Sequence, residues 1–144
     1  MTTQNRKVAY GYLPNFKGDA VVLFAGDRQA LEDLAAFLDG LVKGPTNVTT
    51  MLDAEPLFLP RLGIRLTVTV TDPPLGMRRI ASDSAEPRFE WRVSKPLAAR
   101  FANLTRAVAS TDQPSHQYLD ADGDDDITVI VSKGEYDEVW LQRQ

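Results

Sequence analysis

Five aspartates, Asp120, Asp122, Asp124, Asp125 and Asp126, fall close together around Gly123. Alternate carboxylates about a glycine resemble the opening of a calcium loop, where hard oxygen ligands surround a hard cation. The rest of that pattern is absent. With Asp120 as its first position, the sixth is Asp125 instead of glycine and the twelfth is Val131 instead of a bidentate glutamate. The flanking segments read as strands, so a solvated hairpin tip is the expectation and no metal is assigned. His116 is the only histidine, so imidazole catalysis or a multi-histidine metal site would rest on one ring. Ser115 and Asp112 lie beside it, but a nucleophilic triad needs a geometry and an oxyanion hole that adjacency does not supply. There is no cysteine, which removes disulfides and thiolate chemistry and fits a reducing compartment. Gly40 and Gly44 follow a predicted helix instead of opening one, and Gly-Lys-Ser/Thr does not occur. No phosphate-cradling loop or cofactor is therefore expected.

Charge is unevenly distributed along the 144 residues, which carry a formal net −4. Residues 1–110 sum to +3, whereas residues 111–144 sum to −7. An acidic balance disfavours nucleic acid as a partner, because phosphate neutralisation supplies most of that affinity. A concentrated negative field instead steers a basic protein and raises its association rate. The candidate binding residues are Tyr118, Asp120, Asp122, Asp124, Asp125, Asp126, Glu135, Tyr136, Asp137, Glu138 and Trp140, since aromatics beside a charged rim are common interface anchors. The competing reading is a face that keeps the protein soluble.

These residues need elements to position them. Ala20–Ala25, apolar and closed by Gly26, predicts a central buried strand. Asp27 caps a helix over Arg28–Leu41, whose apolar stripe is Leu31, Leu34, Ala35, Leu38 and Leu41. Ile64, Leu66, Val68 and Val70 alternate with polar residues and predict a half-buried strand; Asp72-Pro-Pro-Leu-Gly76 is a turn that returns Met77–Ile80 as its antiparallel partner. Phe89, Trp91 and Val93 share the inner face of another strand, opposite Arg88, Glu90 and Arg92. Ser94 or Lys95 caps a second helix that carries Leu97, Phe101, Leu104 and Val108 on one stripe and ends near Ser110. Gln117–Leu119 and Ile127–Val131 predict a hairpin, Lys133-Gly134 another turn, and Glu138–Leu141 a last strand or tail. Residues 44–62, with three prolines, are the least patterned and the expected mobile region. No internal repeat is legible. The expectation is one α+β domain over residues 1–144, with two amphipathic helices on a mostly antiparallel sheet of about six or seven strands. The longest apolar run, Ala20–Ala25, is too short to span a membrane, and no signal peptide is read, which points to the cytoplasm.

The segment Ser115-His-Gln-Tyr-Leu-Asp120 followed by Ile127-Thr-Val-Ile-Val-Ser-Lys-Gly-Glu-Tyr136 resembles small bacterial immunity-type proteins of polymorphic toxin systems. The resemblance covers the last quarter of the chain. It implies a cytoplasmic, non-catalytic domain that blocks a basic toxin by occluding its active surface. Two other readings stay open. One is an enzyme or small-ligand binder whose pocket joins the sheet to the proline-containing stretch, with His116, Tyr118, Arg88 and Arg92 as its polar groups. The other is a structural domain that self-associates through an edge strand.

Overall fold

The computed structural model describes residues 7–60, 64–81, 87–120 and 127–135. In chain order they form β1 (Val8–Phe16), β2 (Asp19–Ala25), α1 (Arg28–Lys43), β3 (Thr49–Met51), a 3-10 turn (Leu52–Ala54), β4 (Phe58–Pro60), β5 (Arg65–Val70), β6 (Gly76–Ile80), β7 (Arg88–Val93), α2 (Lys95–Ser110), β8 (Ser115–Tyr118) and β9 (Thr128–Lys133). The α+β class is as read, with both helices capped where the sequence places them. The Asp27 carboxylate accepts from the Ala30 amide at 2.9 Å, and the Ser94 hydroxyl accepts from the Leu97 amide at 3.3 Å. β1, which the sequence reading missed, turns into β2 through Lys17 and Gly18. Both have positive φ, the twist a two-residue hairpin requires, and glycine adopts it at no steric cost.

The sheet departs from expectation. The described residues form nine strands in two sheets, ordered β4-β1-β2-β9-β8 and β3-β5-β7-β6, and both sheets are mixed. β1 with β4, β2 with β9 and β5 with β7 run parallel, while β1–β2, β3–β5, β6–β7 and β8–β9 run antiparallel. The expected β5–β6 hairpin is not formed, because β7 lies between the two strands. The turn between them bonds to the end of β7 instead: the Thr71 amide donates to the Val93 carbonyl at 2.8 Å and the Leu75 amide to Arg92 at 3.2 Å. Residues 44–62 hold β3, the 3-10 turn and β4, with Leu52 and Phe58 in the core. The predicted 120–126 hairpin tip and the Glu138–Leu141 strand lie outside the described residues.

Contrary to the sequence reading, the architecture repeats. Adding 67 to a residue number, which carries Asp27 to Ser94, superimposes β1, β2, α1 and β3 on β6, β7, α2 and β8. The register follows: Tyr10 pairs with Phe24 as Met77 pairs with Trp91, and Leu13 with Val21 as Ile80 with Arg88. β5 corresponds to β9 at the slightly shorter offset that carries Val68 to Val131, since Val68 lies opposite Trp91 and Val131 opposite Phe24. The helices bury equivalent residues, Leu31, Leu34, Ala35 and Leu38 in α1 against Ala98, Phe101, Ala102 and Thr105 in α2. Each half surrenders its last hairpin to the other. β3–β5 completes the sheet of β6–β7, and β8–β9 completes the sheet of β1–β2.

Two pairs of equivalent residues touch each other, which marks the approximate twofold axis between the halves. Phe24 stacks on Trp91 with centroids 5.5 Å apart, and Asp39 on α1 is ion-paired with Arg106 on α2. Trp91 also stacks on Phe101 at 5.7 Å, so one aromatic column joins both sheets to α2. Burying each such ring contributes roughly 1.5–3 kcal/mol, and the two helices with the inner faces of both sheets form one continuous core. No described helix is long and apolar enough to cross a membrane. Because the two caps are equivalent, Asp27→Ala and Ser94→Ala are each expected to lower the unfolding free energy by about 1 kcal/mol, read from urea denaturation midpoints.

Candidate functional site

β8 is the terminal strand of the five-stranded sheet, so among the described residues one side of its backbone has no strand partner. Its residues His116 and Tyr118 lie opposite Ser132 and Ile130 of β9. Val129 and Val131 face the common core and Ile130 the opposite side, so His116 and Tyr118 emerge on the outer face. Tyr118 is 51% exposed. The His116 ring stands edge-on to Tyr118 at 5.8 Å, and its Nδ1 lies 2.7 Å from a Glu135 carboxylate oxygen. Leu119, fully buried, pins the end of the strand. Arg100 of α2 donates to the Asp120 carbonyl at 2.8 Å. Lys133 donates to the carbonyls of Thr111 and Ala109, satisfying acceptors left open where α2 ends.

Of the predicted binding residues, Tyr118, Asp120 and Glu135 are therefore placed at the exposed edge of one sheet. Asp122, Asp124, Asp125, Asp126, Tyr136, Asp137, Glu138 and Trp140 lie outside the described residues. Partial burial pushes the Asp120 carboxyl above its ordinary range; the Val129 amide that bonds it and the Arg100 charge oppose that shift. Among the described residues no three histidine, aspartate or glutamate side chains converge as a metal site.

The outer faces of the two sheets, equivalent by the repeat, have different chemistry. On the five-stranded sheet the part of the face over β1, β2 and β9 is apolar and buried, carrying Ala9, Leu13, Val21, Leu23, Ala25 and Ile130. On the four-stranded sheet the equivalents of Val21, Leu23, Ala25 and Ile130 are the polar Arg88, Glu90, Arg92 and Thr67. Arg65, Thr67 and Thr69 of β5 lie beside Arg88, Glu90 and Arg92 of β7, and Arg78 of β6 lies opposite Glu90. Glu90 takes Arg92 in a two-pronged contact at 2.7 and 3.3 Å, and Thr49 and Thr69 share a hydroxyl bond of 2.8 Å. Sequence alternation shows these arginines pointing outward, but strand order alone brings them together.

One end of that face opens into a cavity of about 70 Å³ lined by Met51, Asp53, Arg65, Thr67, Ile80, Arg88 and Phe89. A pocket between the sheet and the proline-containing stretch was one expectation, and Arg88 does line it. His116 and Tyr118 sit on the other sheet, and Arg92 is not among the lining residues. An Asp53 carboxylate oxygen and the Tyr10 hydroxyl are buried with no hydrogen-bond partner among the described residues. Burial, with Asp53 adding to it, holds the Tyr10 phenol far above its ordinary pKa, so it stays neutral. A second depression is an open polar groove between the helices, lined by Glu32, Asn103, Arg106, Ala107 and Ser110.

With this geometry in hand, comparison with protein-family models, with curated proteins and with solved structures finds no match to the chain.

Two outcomes are expected here. A carboxyl raised by folding holds its proton more tightly in the folded chain, so stability falls as pH rises from the ordinary carboxylate value through the raised one. Asp120→Asn should thus raise the melting temperature at neutral pH and leave it unchanged near about pH 3, where both states are already protonated. Tyr10→Phe, which deletes the unpartnered hydroxyl, should be neutral or stabilising by up to about 1 kcal/mol in chemical denaturation.

Proposed function

We propose that this chain is a non-catalytic, cytoplasmic protein-binding domain of the immunity type, which docks a basic toxin domain on the acidic edge built from β8 and the residues around it. The observation that carries this reading is the exposed edge strand holding Tyr118, with Asp120 and Glu135 at its margin, inside a segment whose net charge is −7. Each part has a physical role. The acidic field accelerates encounter with a basic surface. Tyr118 offers a large, stiff anchor whose burial fixes the complex. The unpaired side of β8 offers backbone donors and acceptors to an extended segment. Inhibition then follows from occlusion, with no chemistry required of the inhibitor.

Magnitude disfavours a ligand site in the cavity between the four-stranded sheet and the proline-containing stretch. That cavity, of about 70 Å³, is well short of the roughly 300 Å³ at which ligand pockets begin. His116, the one imidazole, lies on the surface against Glu135 and outside that cavity.

The test is affinity capture from the native host with the wild-type chain and with a Tyr118→Ala/Glu135→Gln variant. The expected result is enrichment of a basic protein whose activity the wild-type chain inhibits, with capture reduced at least about tenfold by the variant. Equal capture by both chains, or captured proteins with no basic member, removes the reading.

A further inference from the structure

We infer that the outer face of the four-stranded sheet is a second docking surface, one that takes an acidic segment of a partner protein. This rests on a different sheet and the opposite charge from the acidic edge, so either reading can fail without the other. The strands of this face present Arg65, Arg78, Arg88 and Arg92 against Glu90 as their one carboxylate, inside a protein of net −4. Arg92 is engaged by Glu90, while Arg78 and Arg88 project into solvent. Beside this basic centre Met51, opposite the outward Thr67, adds an apolar side chain that is 42% exposed. Met51 is the last residue of β3, the strand next to β5. Arginine and methionine are both enriched at protein interfaces relative to the rest of the surface.

The repeat sharpens the point. The equivalents of Ile80, Arg88, Glu90 and Arg92 are Leu13, Val21, Leu23 and Ala25, so the same scaffold carries an apolar outer face in one half. Charge here is not imposed by the fold. Nucleic acid is the poorer occupant, because strand faces that bind single strands stack bases on aromatic rings. Here Phe89 and Trp91 both point into the core, and no aromatic sits among the outward strand residues. An acidic segment with interspersed apolar residues satisfies both the arginines and Met51.

The test uses the full chain and a fluorescein-labelled peptide of Glu-Glu-Leu repeats, about twelve residues long, followed by fluorescence anisotropy. The wild-type protein is expected to bind it, with affinity falling several-fold between about 50 and about 300 mM salt. Arg78→Gln with Arg88→Gln should weaken binding at least about tenfold, and Met51→Ser a few-fold. Glu135→Gln, on the other sheet, should leave it unchanged. These are surface substitutions, and unchanged melting temperatures verify that the variants fold. Peptide binding that is absent in wild type, or undiminished in the double arginine variant, overturns the proposal. So does a labelled oligo(dT) of the same length binding more tightly than the peptide.

Discussion

Neither half of this chain can complete its own sheet. β2 has β1 on one side and needs β9 on the other, and β7 has β6 and needs β5. The two parallel pairings that result join the first half to the second by backbone hydrogen bonds. They leave the axis between the halves to be filled by side chains that meet their own counterparts. Phe24 against Trp91 and Asp39 against Arg106 are those contacts. The aromatic pair lies where both sheets and α2 converge, so its fit couples every layer. Interiors are packed as densely as organic crystals, which is why a loss at this column is felt in both sheets and not in one.

Much of this was legible from residue order, and the limits are physical. Side-chain periodicity reports burial at a position. It found α1, α2, β2, β5 and β7, together with both caps, because these depend on neighbours within a few residues. Periodicity does not report which strand lies alongside, so Val68 alternates identically whether its neighbour is β6 or β7. The parallel pairings and the second sheet were therefore invisible. The repeat was hidden for a related reason: Leu34 and Phe101, or Tyr10 and Met77, fill equivalent core positions with different shapes, and a core asks for volume more than identity. β1 escaped notice because Gly11, Pro14 and Asn15 interrupt its pattern. At the candidate edge, residue order named Tyr118 and Glu135 separately, but the His116 ring that meets both was not legible, since that arrangement depends on the β8–β9 register.

The two outer faces show how a duplicated scaffold supports unlike surfaces. The inner faces must be apolar, because the helices and the aromatic column press on both. The outer faces carry no such shared demand. One has become a sealed apolar layer around Leu23, and the other an open lattice of arginine and threonine. The same pairing geometry thus leaves a buried wall on one side of the molecule and an exposed, charged one on the other. The acidic edge at β8 and the basic field of the four-stranded sheet are consequently set apart on separate sheets.

The exchange of hairpins also governs when the chain can become a protein. Val21 finds its partner Thr128 more than a hundred residues further along, so the middle of the first sheet cannot be finished by anything synthesised nearby. Contacts that distant are slow to form, because the entropy of loop closure is lost before any bond returns it. Until then the apolar strand Val21-Val-Leu-Phe24 has one open side, a surface on which a nascent chain invites aggregation. The edge of β2 therefore stays open until β9, the last strand among the described residues, has been made.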